Sequence, residues 1–171
     1  MLGLPKGTVK LTVYDPNWHR LFAEERANIL SVLGVYIEDI QHVGSTAVNG
    51  LMSKPIIDIA VGIKALNLVD KCSPLLERIG YEDRGIFVKD GTFFYIKGNP
   101  TTYHVHLTEK GNPIMEKWLF FRDRLRSCKQ LCEQYERLKI RLASQYTYDR
   151  DAYGSGKDKF VEKIVSAMKG N

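Results

Sequence analysis

The chain has 171 residues, 44% of them hydrophobic, and a net charge of +5, which favours a single globular domain over 1–171 with a substantial core. No apolar run approaches the ~20 residues of a membrane helix, and the first segment, MLGLPKGTVK, lacks the apolar core of a signal peptide. The cysteines form no CxxC pair, so we expect free thiols in a cytoplasmic protein without a membrane partner.

The N-terminal segment predicts a short strand followed by a helix. Val9–Tyr14 is interpreted as the strand. Asp15-Pro16 predicts the start of the helix, because aspartate is a good N-cap and proline suits the first helical position. Apolar residues then recur at helical spacing until Gly34 ends the helix; they are Trp18, Leu21, Phe22, Ile29 and Leu33.

The stretch Gln41–Ile63 predicts a strand, a tight turn, a short helical turn and a second strand. Gly44-Ser45-Thr46 interrupts the first apolar run, and Ile56–Ile63 is apolar except for Asp58 and Gly62. A nearly continuous β-branched run is typical of a strand buried on both faces. An unpaired buried carboxylate is costly, so Asp58 either faces a cleft at a strand end or has a fixed partner.

The middle of the chain predicts one helix and three strands. Leu66–Ile79 has helical spacing that Gly80 closes, and Pro74 inside it predicts a kink or a break into two pieces. Asp90-Gly91 is a type I′ hairpin signal between the first two strands, and residues 98–100 form the next turn. The predicted strands are Arg84–Lys89, Thr92–Lys97 and Thr102–Thr108.

The C-terminal part predicts helices alone. They begin at Asn112-Pro113, Lys129 and Lys157 and end near Arg126, Tyr146 and Met168, with GSGK (154–157) as the turn before the last helix. Together the elements predict an α+β fold: a mixed, mostly antiparallel sheet of about five strands with helices packed on it. Its core would span about 13–108, with a helical layer over about 111–168.

Four blocks of the sequence resemble a known family. VYDPNWHRLFAEE, HVGSTAVNGL…KPIIDI, YHVHL and FRDRL…YERLK occur in the order found in the GrpB family of uncharacterised bacterial proteins. That family is assigned to the nucleotidyltransferase fold related to DNA polymerase beta, so the resemblance implies a nucleotidyltransferase-like fold. In the family the domain also occurs fused to dephospho-CoA kinase, which implies an accessory role near nucleotide or coenzyme A metabolism.

The resemblance also implies a site. In this fold, strand carboxylates hold two Mg²⁺ ions that bridge a triphosphate. Asp58 matches the first carboxylate, but Ala60 stands at the i+2 position where the second is usual. The Gly44-Ser45-Thr46 turn offers backbone N–H groups and hydroxyls to a phosphate, and Lys54 is a further phosphate candidate.

Two histidines add a different possibility. His104 and His106 alternate on a predicted strand and so share one face. Imidazole suits Zn²⁺, Mn²⁺, Fe²⁺ or Ni²⁺ better than Mg²⁺. If His42 lies beside them, then His42, Asp58, His104 and His106 could bind one transition metal. A histidine could instead serve as a general base, or the group could be the polar floor of a cleft.

Three functions follow from these residues. The first is transfer of a nucleotidyl group from an NTP to a small or RNA acceptor, with Mg²⁺ or Mn²⁺ at Asp58. The second is a degenerate binding module for a nucleotide or a coenzyme-A-related molecule, and the third is a His/Asp transition-metal site with phosphoester chemistry.

The distribution of charge bears on the partner. Up to Thr108 there are 11 basic and 11 acidic residues, whereas from Glu109 onward there are 14 and 9. That excess is compatible with a nucleotide or RNA partner, or with a solvated surface of mixed charge. A protein partner also remains open.

Overall fold

The computed structural model describes residues 2–87 and 91–170. Its strands are β1 (Ile37–Val43), β2 (Ile57–Ile63), β3 (Tyr81–Phe87), β4 (Thr92–Lys97) and β5 (Tyr103–Glu109). Its helices are α1 (Asn17–Leu33), α2 (Val69–Arg78), α3 (Pro113–Ser127), α4 (Lys129–Gln145), α5 (Arg150–Ser155) and α6 (Asp158–Val165). Short 3₁₀ turns cover Ser45–Ala47, Leu66–Leu68 and Ser166–Gly170. In the described ranges no helix has both the length and the apolar character needed to cross a bilayer.

The five strands form one mixed sheet in the order β1-β2-β5-β4-β3. Three neighbouring pairs are antiparallel, and the pair β2–β5 is parallel. Parallel neighbours need a long crossover, which here consists of α2 and the β3–β4 hairpin. The predicted mixed, mostly antiparallel sheet with packed helices is confirmed. The parallel pair is the feature that matters for the site, because it sets Asp58 beside His104 and Ala60 beside His106.

The sheet is covered on both faces, which explains the apolar run of β2. Alternate β2 residues, from Ile57 to Ile63, join Trp18, Ile29 and Leu76 in the main core under α1 and α2. On the opposite face Ala60 packs with Met115 of α3. Successive side chains of a strand point to opposite faces, so a strand covered twice must be apolar at nearly every position.

The predicted helix starts are confirmed in detail. The Asp15 carboxylate accepts the Asn17 N–H at 2.9 Å, and Pro16 already has helical dihedral angles (φ −56°, ψ −24°). Asn112 accepts the Ile114 N–H at 3.0 Å and precedes Pro113, the first residue of α3. Each cap satisfies a backbone donor that the first helical turn leaves without a partner.

The strand predicted in the N-terminal segment is wrong, and of the two outcomes predicted at Pro74, a kink or a break, the break does not occur. Val9–Tyr14 is not a strand: it makes one isolated bridge, Thr12 to Ser53. Val9 instead donates its N–H to Thr147 and packs against the C-terminal helices. Pro74 does not break its helix, since α2 continues through it to Arg78. One proline removes a single helical hydrogen bond, and α2 is held by its buried face on the sheet.

The strand and helix boundaries need two corrections, and one further prediction lies at the edge of the described residues. β3 begins at Tyr81, three residues before the predicted strand, because Tyr81 pairs with Lys97 of β4. The Asp90-Gly91 hairpin signal lies partly outside the described residues. Helix α5 was missed, although Asp149 caps it by accepting the Ala152 N–H at 2.9 Å; the GSGK segment therefore begins inside α5 rather than forming only a turn.

Candidate metal and phosphate site

The parallel pairing of β2 and β5 assembles a cluster of one carboxylate and two imidazoles. The Asp58 Oδ1 atom lies 3.0 Å from His104 Nδ1 and 3.8 Å from His106 Nε2. Potential ligand atoms of the three residues all lie within 4.8 Å of one another. Their side chains are 29%, 13% and 24% exposed, respectively, so the cluster is partly desolvated and still reachable from solvent.

The pKa shifts of Asp58 and His104 favour the protonation states that bind a metal ion. Burial would raise the pKa of Asp58, but hydrogen bonds and positive charge from His104 and His106 lower it below its usual value. Burial lowers the pKa of His104, and the Asp58 carboxylate only partly offsets that effect. An ionised carboxylate and a neutral imidazole are the forms that bind a cation.

Two aromatic side chains enclose the histidines. The Phe94 ring lies 5.0 Å, centre to centre, from both the His104 and His106 rings. Trp118 of α3 lies 5.1 Å from the His106 ring. These contacts restrict the rotation of both imidazoles, which keeps their nitrogen atoms close to Asp58.

The Gly44 turn runs directly against the cluster. Gly44 has φ +69° and ψ −171°, a region that is essentially restricted to glycine. A Cβ atom at this position would lie 2.5 Å from Asp58 Oδ2. Glycine is therefore required both by the backbone conformation and by the space that the carboxylate occupies.

A pocket of about 170 Å³ opens between this turn and the C-terminal helices. The sheet and its turn contribute Gly44, Ser45, Thr46, Asp58 and His104. The remaining wall comes from Lys54, Ile56, Tyr135, Tyr153 and Lys157. The metal cluster and the pocket thus share Asp58 and His104.

Two lysines of the pocket lie over the ring of the same tyrosine, Tyr153. The Nζ atoms of Lys54 and Lys157 lie 5.3 Å and 4.6 Å from the centre of the Tyr153 ring. Burial, then repulsion from Lys157, lowers the pKa of Lys54 to about 8. Burial also lowers the pKa of Lys157, partly offset by Asp58. An anion in the pocket would relieve this repulsion.

Neither lysine has a salt-bridge partner within the part of the chain that the structure describes. Tyr135 and Tyr153 remain protonated because burial raises the pKa of both hydroxyls. The pocket therefore offers cations and neutral hydroxyl donors, together with the turn, to an oxygen-rich anion such as a phosphate.

Ala60, which stands in place of a second carboxylate, does not leave an open metal position. It is fully buried and packs with Val43 and Met115. Trp118 and Leu119 of α3 also pack against these three hydrophobic residues. A metal ion at residue 60 would have to displace α3.

The comparisons with known proteins agree with this fold. The family model described as GrpB protein matches residues 8–167. The chain belongs to the GrpB family. It is 36% identical to glutamate-rich protein GrpB of Alkalihalophilus pseudofirmus over 98% of this chain and 100% of that protein. It is 34% identical to YqkA of Bacillus subtilis over 92% of this chain, but spans only 46% of the length of YqkA.

A solved GrpB structure is also similar. The crystal structure of conserved protein GrpB from Enterococcus faecalis superposes with a TM-score of 0.85 at 34% identity, over 92% of this chain and 96% of that chain. A Cid1 poly(U) polymerase structure overlaps with a TM-score of 0.47 at 11% identity, over 85% of this chain and 49% of that one. A likeness that weak carries no information about function.

The structure brings most of the predicted site residues of this GrpB-family chain together. Asp58, His104 and Lys54 line the pocket with the Gly44-Ser45-Thr46 turn, and His106 completes the cluster. Sequence reasoning missed Tyr135, Tyr153 and Lys157, the residues that line the pocket from the C-terminal helices and their connection. The signal for them was weak, because their apolar and helical context is also typical of core packing.

His42 is not placed with the other metal candidates. It pairs with Ile59 rather than Asp58, so its side chain lies on the opposite sheet face. There it stacks on Phe22 with ring centres 4.7 Å apart, and its Nε2 lies 3.0 Å from the Thr46 hydroxyl. Burial, reinforced by repulsion from His19, lowers its pKa to about 3. His42 is therefore a neutral imidazole that contacts the Thr46 hydroxyl.

Proposed function

We propose that this GrpB-family protein binds a nucleotide together with one divalent metal ion and catalyses substitution at phosphorus. The acceptor would be a hydroxyl of a small molecule or RNA in nucleotidyl transfer, or water in hydrolysis. The observation that carries this proposal is the position of Asp58, which belongs both to the Asp/His/His cluster and to the lysine-lined pocket.

The donor set fits one transition metal. One carboxylate and two imidazoles, Asp58, His104 and His106, are typical ligands of Zn²⁺, Mn²⁺ or Fe²⁺ and leave coordination positions for a substrate oxygen. A bound ion would supply Lewis-acid polarisation of a phosphoryl oxygen. Mg²⁺ is a poorer match because it prefers an all-oxygen shell.

The chain's own residues would hold the phosphates. The Gly44-Ser45-Thr46 turn, Lys54 and Lys157 line the same pocket, and the donors of these residues are backbone N–H groups, hydroxyls and ammonium groups. Charge-assisted hydrogen bonds from such groups orient a polyphosphate. In nucleotidyl transfer, the acceptor oxygen forms a bond to the α-phosphorus, pyrophosphate leaves, and the acceptor proton passes to a base or to solvent.

A second candidate function is nucleotide binding without turnover. The packing of α3 over Ala60 favours it, since two-metal catalysis of the kind implied by the fold needs a carboxylate there. The pocket would then serve as a sensor or accessory site for a nucleotide or coenzyme A.

Thermal stability and label transfer together test these candidates. Metal-stripped protein would be melted with ATP, GTP, CTP, UTP or coenzyme A, each with Mg²⁺, Mn²⁺ or Zn²⁺. A ligand that binds only the folded state raises its apparent stability. Transfer from an α-labelled NTP to water, a small acceptor or RNA would be followed in parallel.

Three variants make the test specific. We expect Asp58→Asn, and His104→Ala combined with His106→Ala, to lose the metal-dependent shift. Asp70→Asn, an exposed acid on α2, is the control and should behave like wild type. A shift with label transfer supports catalysis, a shift alone supports the binding function, and the absence of any shift contradicts both.

A further inference from the structure

A groove between α3 and α6 adjoins the candidate site. Its volume is about 680 Å³, and its apolar wall includes Ile114, Trp118, Phe121, Val161 and Val165. Ligand sites are mostly apolar concave surfaces with a few polar groups that fix orientation. The phosphate chemistry described above makes no use of this groove.

Two features connect the groove to the phosphate and metal site. Trp118 lines the groove and lies 5.1 Å from the His106 ring, so it is also a wall of the metal cluster. Asp158 lines the groove and directly follows Lys157, which lines the phosphate pocket. The groove therefore borders the metal cluster through Trp118 and the phosphate pocket through the Lys157–Asp158 pair.

The charges of the two spaces are opposite. The groove is lined by three carboxylates, Glu116, Asp158 and Glu162, against one lysine, Lys117. The phosphate pocket contains Lys54 and Lys157. Carboxylates repel phosphates and accept hydrogen bonds from amino groups. This difference in charge between the two spaces would orient a ligand with its phosphates in the pocket and a nitrogen-rich, uncharged part in the groove.

We propose that the α3–α6 groove is the subsite for the nucleobase of the bound nucleotide, with Trp118 as the stacking surface. This inference rests on the proposed function, since it takes the phosphates to lie in the adjoining pocket. Stacking on an indole accepts any base because every base has a π-face. The carboxylate rim favours bases that carry amino groups.

Calorimetry with two probes tests this subsite. ATP and inorganic tripolyphosphate, each with Mn²⁺, would be titrated into wild type, Trp118→Ala and Trp118→Phe. We expect wild type to bind ATP at least about 5-fold more tightly than tripolyphosphate, the lower end of base stacking on an aromatic side chain. The readout is the ratio of the two affinities: Trp118→Ala should bring it close to one even where the contact with His106 is also lost, and Trp118→Phe should keep part of the preference.

A control variant and a spectroscopic signal separate binding from folding. Phe120→Ala changes a neighbouring aromatic residue of α3 that lines a different cavity, and it should keep the ATP preference. Of the two tryptophans, Trp18 is fully buried in the main core, so quenching of fluorescence by ATP should come from Trp118 and vanish in Trp118→Phe.

Three results would overturn the subsite. Equal wild-type affinities for ATP and tripolyphosphate would refute the subsite and leave the phosphate pocket standing. If Trp118→Ala and Trp118→Phe each weakened the affinities for ATP and for tripolyphosphate by the same factor, Trp118 would have a packing role alone. Binding of neither probe by wild type would refute the proposed function and this inference with it.

Discussion

Gly44→Ala is the substitution that most directly tests the geometry of the site. A β-carbon at residue 44 would lie 2.5 Å from Asp58 Oδ2 and 3.1 Å from both Cβ and Cγ of Asp58. Rotation of the carboxylate relieves only the first contact, so the turn or β2 must also move. The conformation of Gly44 adds strain of about 1–3 kcal/mol for any other residue.

The expected consequence is a loss of metal binding in addition to a loss of stability. When Asp58 is displaced, its Oδ1 no longer lies near His104 and His106. Mutation of a group that only orients a metal ligand weakens affinity by about 10–100-fold, and displacement of a ligand itself should weaken it at least as much. We therefore expect the affinity for Zn²⁺ or Mn²⁺ to fall by about 100-fold or more in Gly44→Ala.

Gly50→Ala is the matched control. Gly50 also has a positive φ, +79°, but a β-carbon there meets nothing within 4 Å. It should lose about 1–2 kcal/mol of stability from backbone strain alone and keep its metal affinity. Titration calorimetry and urea unfolding of both variants measure the two quantities. Unchanged metal binding in Gly44→Ala, or an equal loss in Gly50→Ala, would refute the argument from the close approach.

Three further substitutions have defined outcomes. Ala60→Asp buries a carboxylate under α3, so it should lower the free energy of unfolding by about 3–5 kcal/mol. Elemental analysis should find no more metal bound to this variant than to wild type. Burial, then repulsion from Lys157, lowers the Lys139 pKa to about 7 from 10.5. Wild type should therefore gain about 1.4 kcal/mol per pH unit over Lys139→Met between pH 7.5 and 10; a constant difference in urea unfolding would contradict this. Asn112→Ala removes the α3 cap, and a melting curve should show a Tm lower by about 2–4 °C, equivalent to about 1 kcal/mol.

Local signals were sufficient to predict the sheet side of the site. The Gly44 turn and the apolar run around Asp58 identify a strand–turn–strand unit because each depends on nearby residues alone. Alternation along a strand also predicts that His104 and His106 share a face. Which strand lies beside β2 does not follow from the pattern, since a register between distant strands leaves no local trace.

The remainder of the site depends on tertiary packing. Tyr153 and Lys157 are about a hundred residues from Asp58 in sequence, and they reach the pocket because α4 and α5 pack against the N-terminal segment and the turn. Tyr153 on α5 is also typical of an ordinary amphipathic helix, and Lys157 is a lysine in the short connection before α6. His42 shows the opposite error: it is adjacent to the turn in sequence, yet its position in β1 directs it to the other face.

The charge of the pocket argues that metal and phosphate bind together. Without a ligand, Lys54 and Lys157 face the single carboxylate of Asp58. A divalent cation on Asp58 would add positive charge beside these lysines, which opposes its binding. A polyphosphate would neutralise both lysines and supply oxygen ligands to the ion, so each should raise the affinity for the other by the same factor. Phosphate oxygens that complete the shell of the ion would take the place of the second carboxylate that Ala60 replaces.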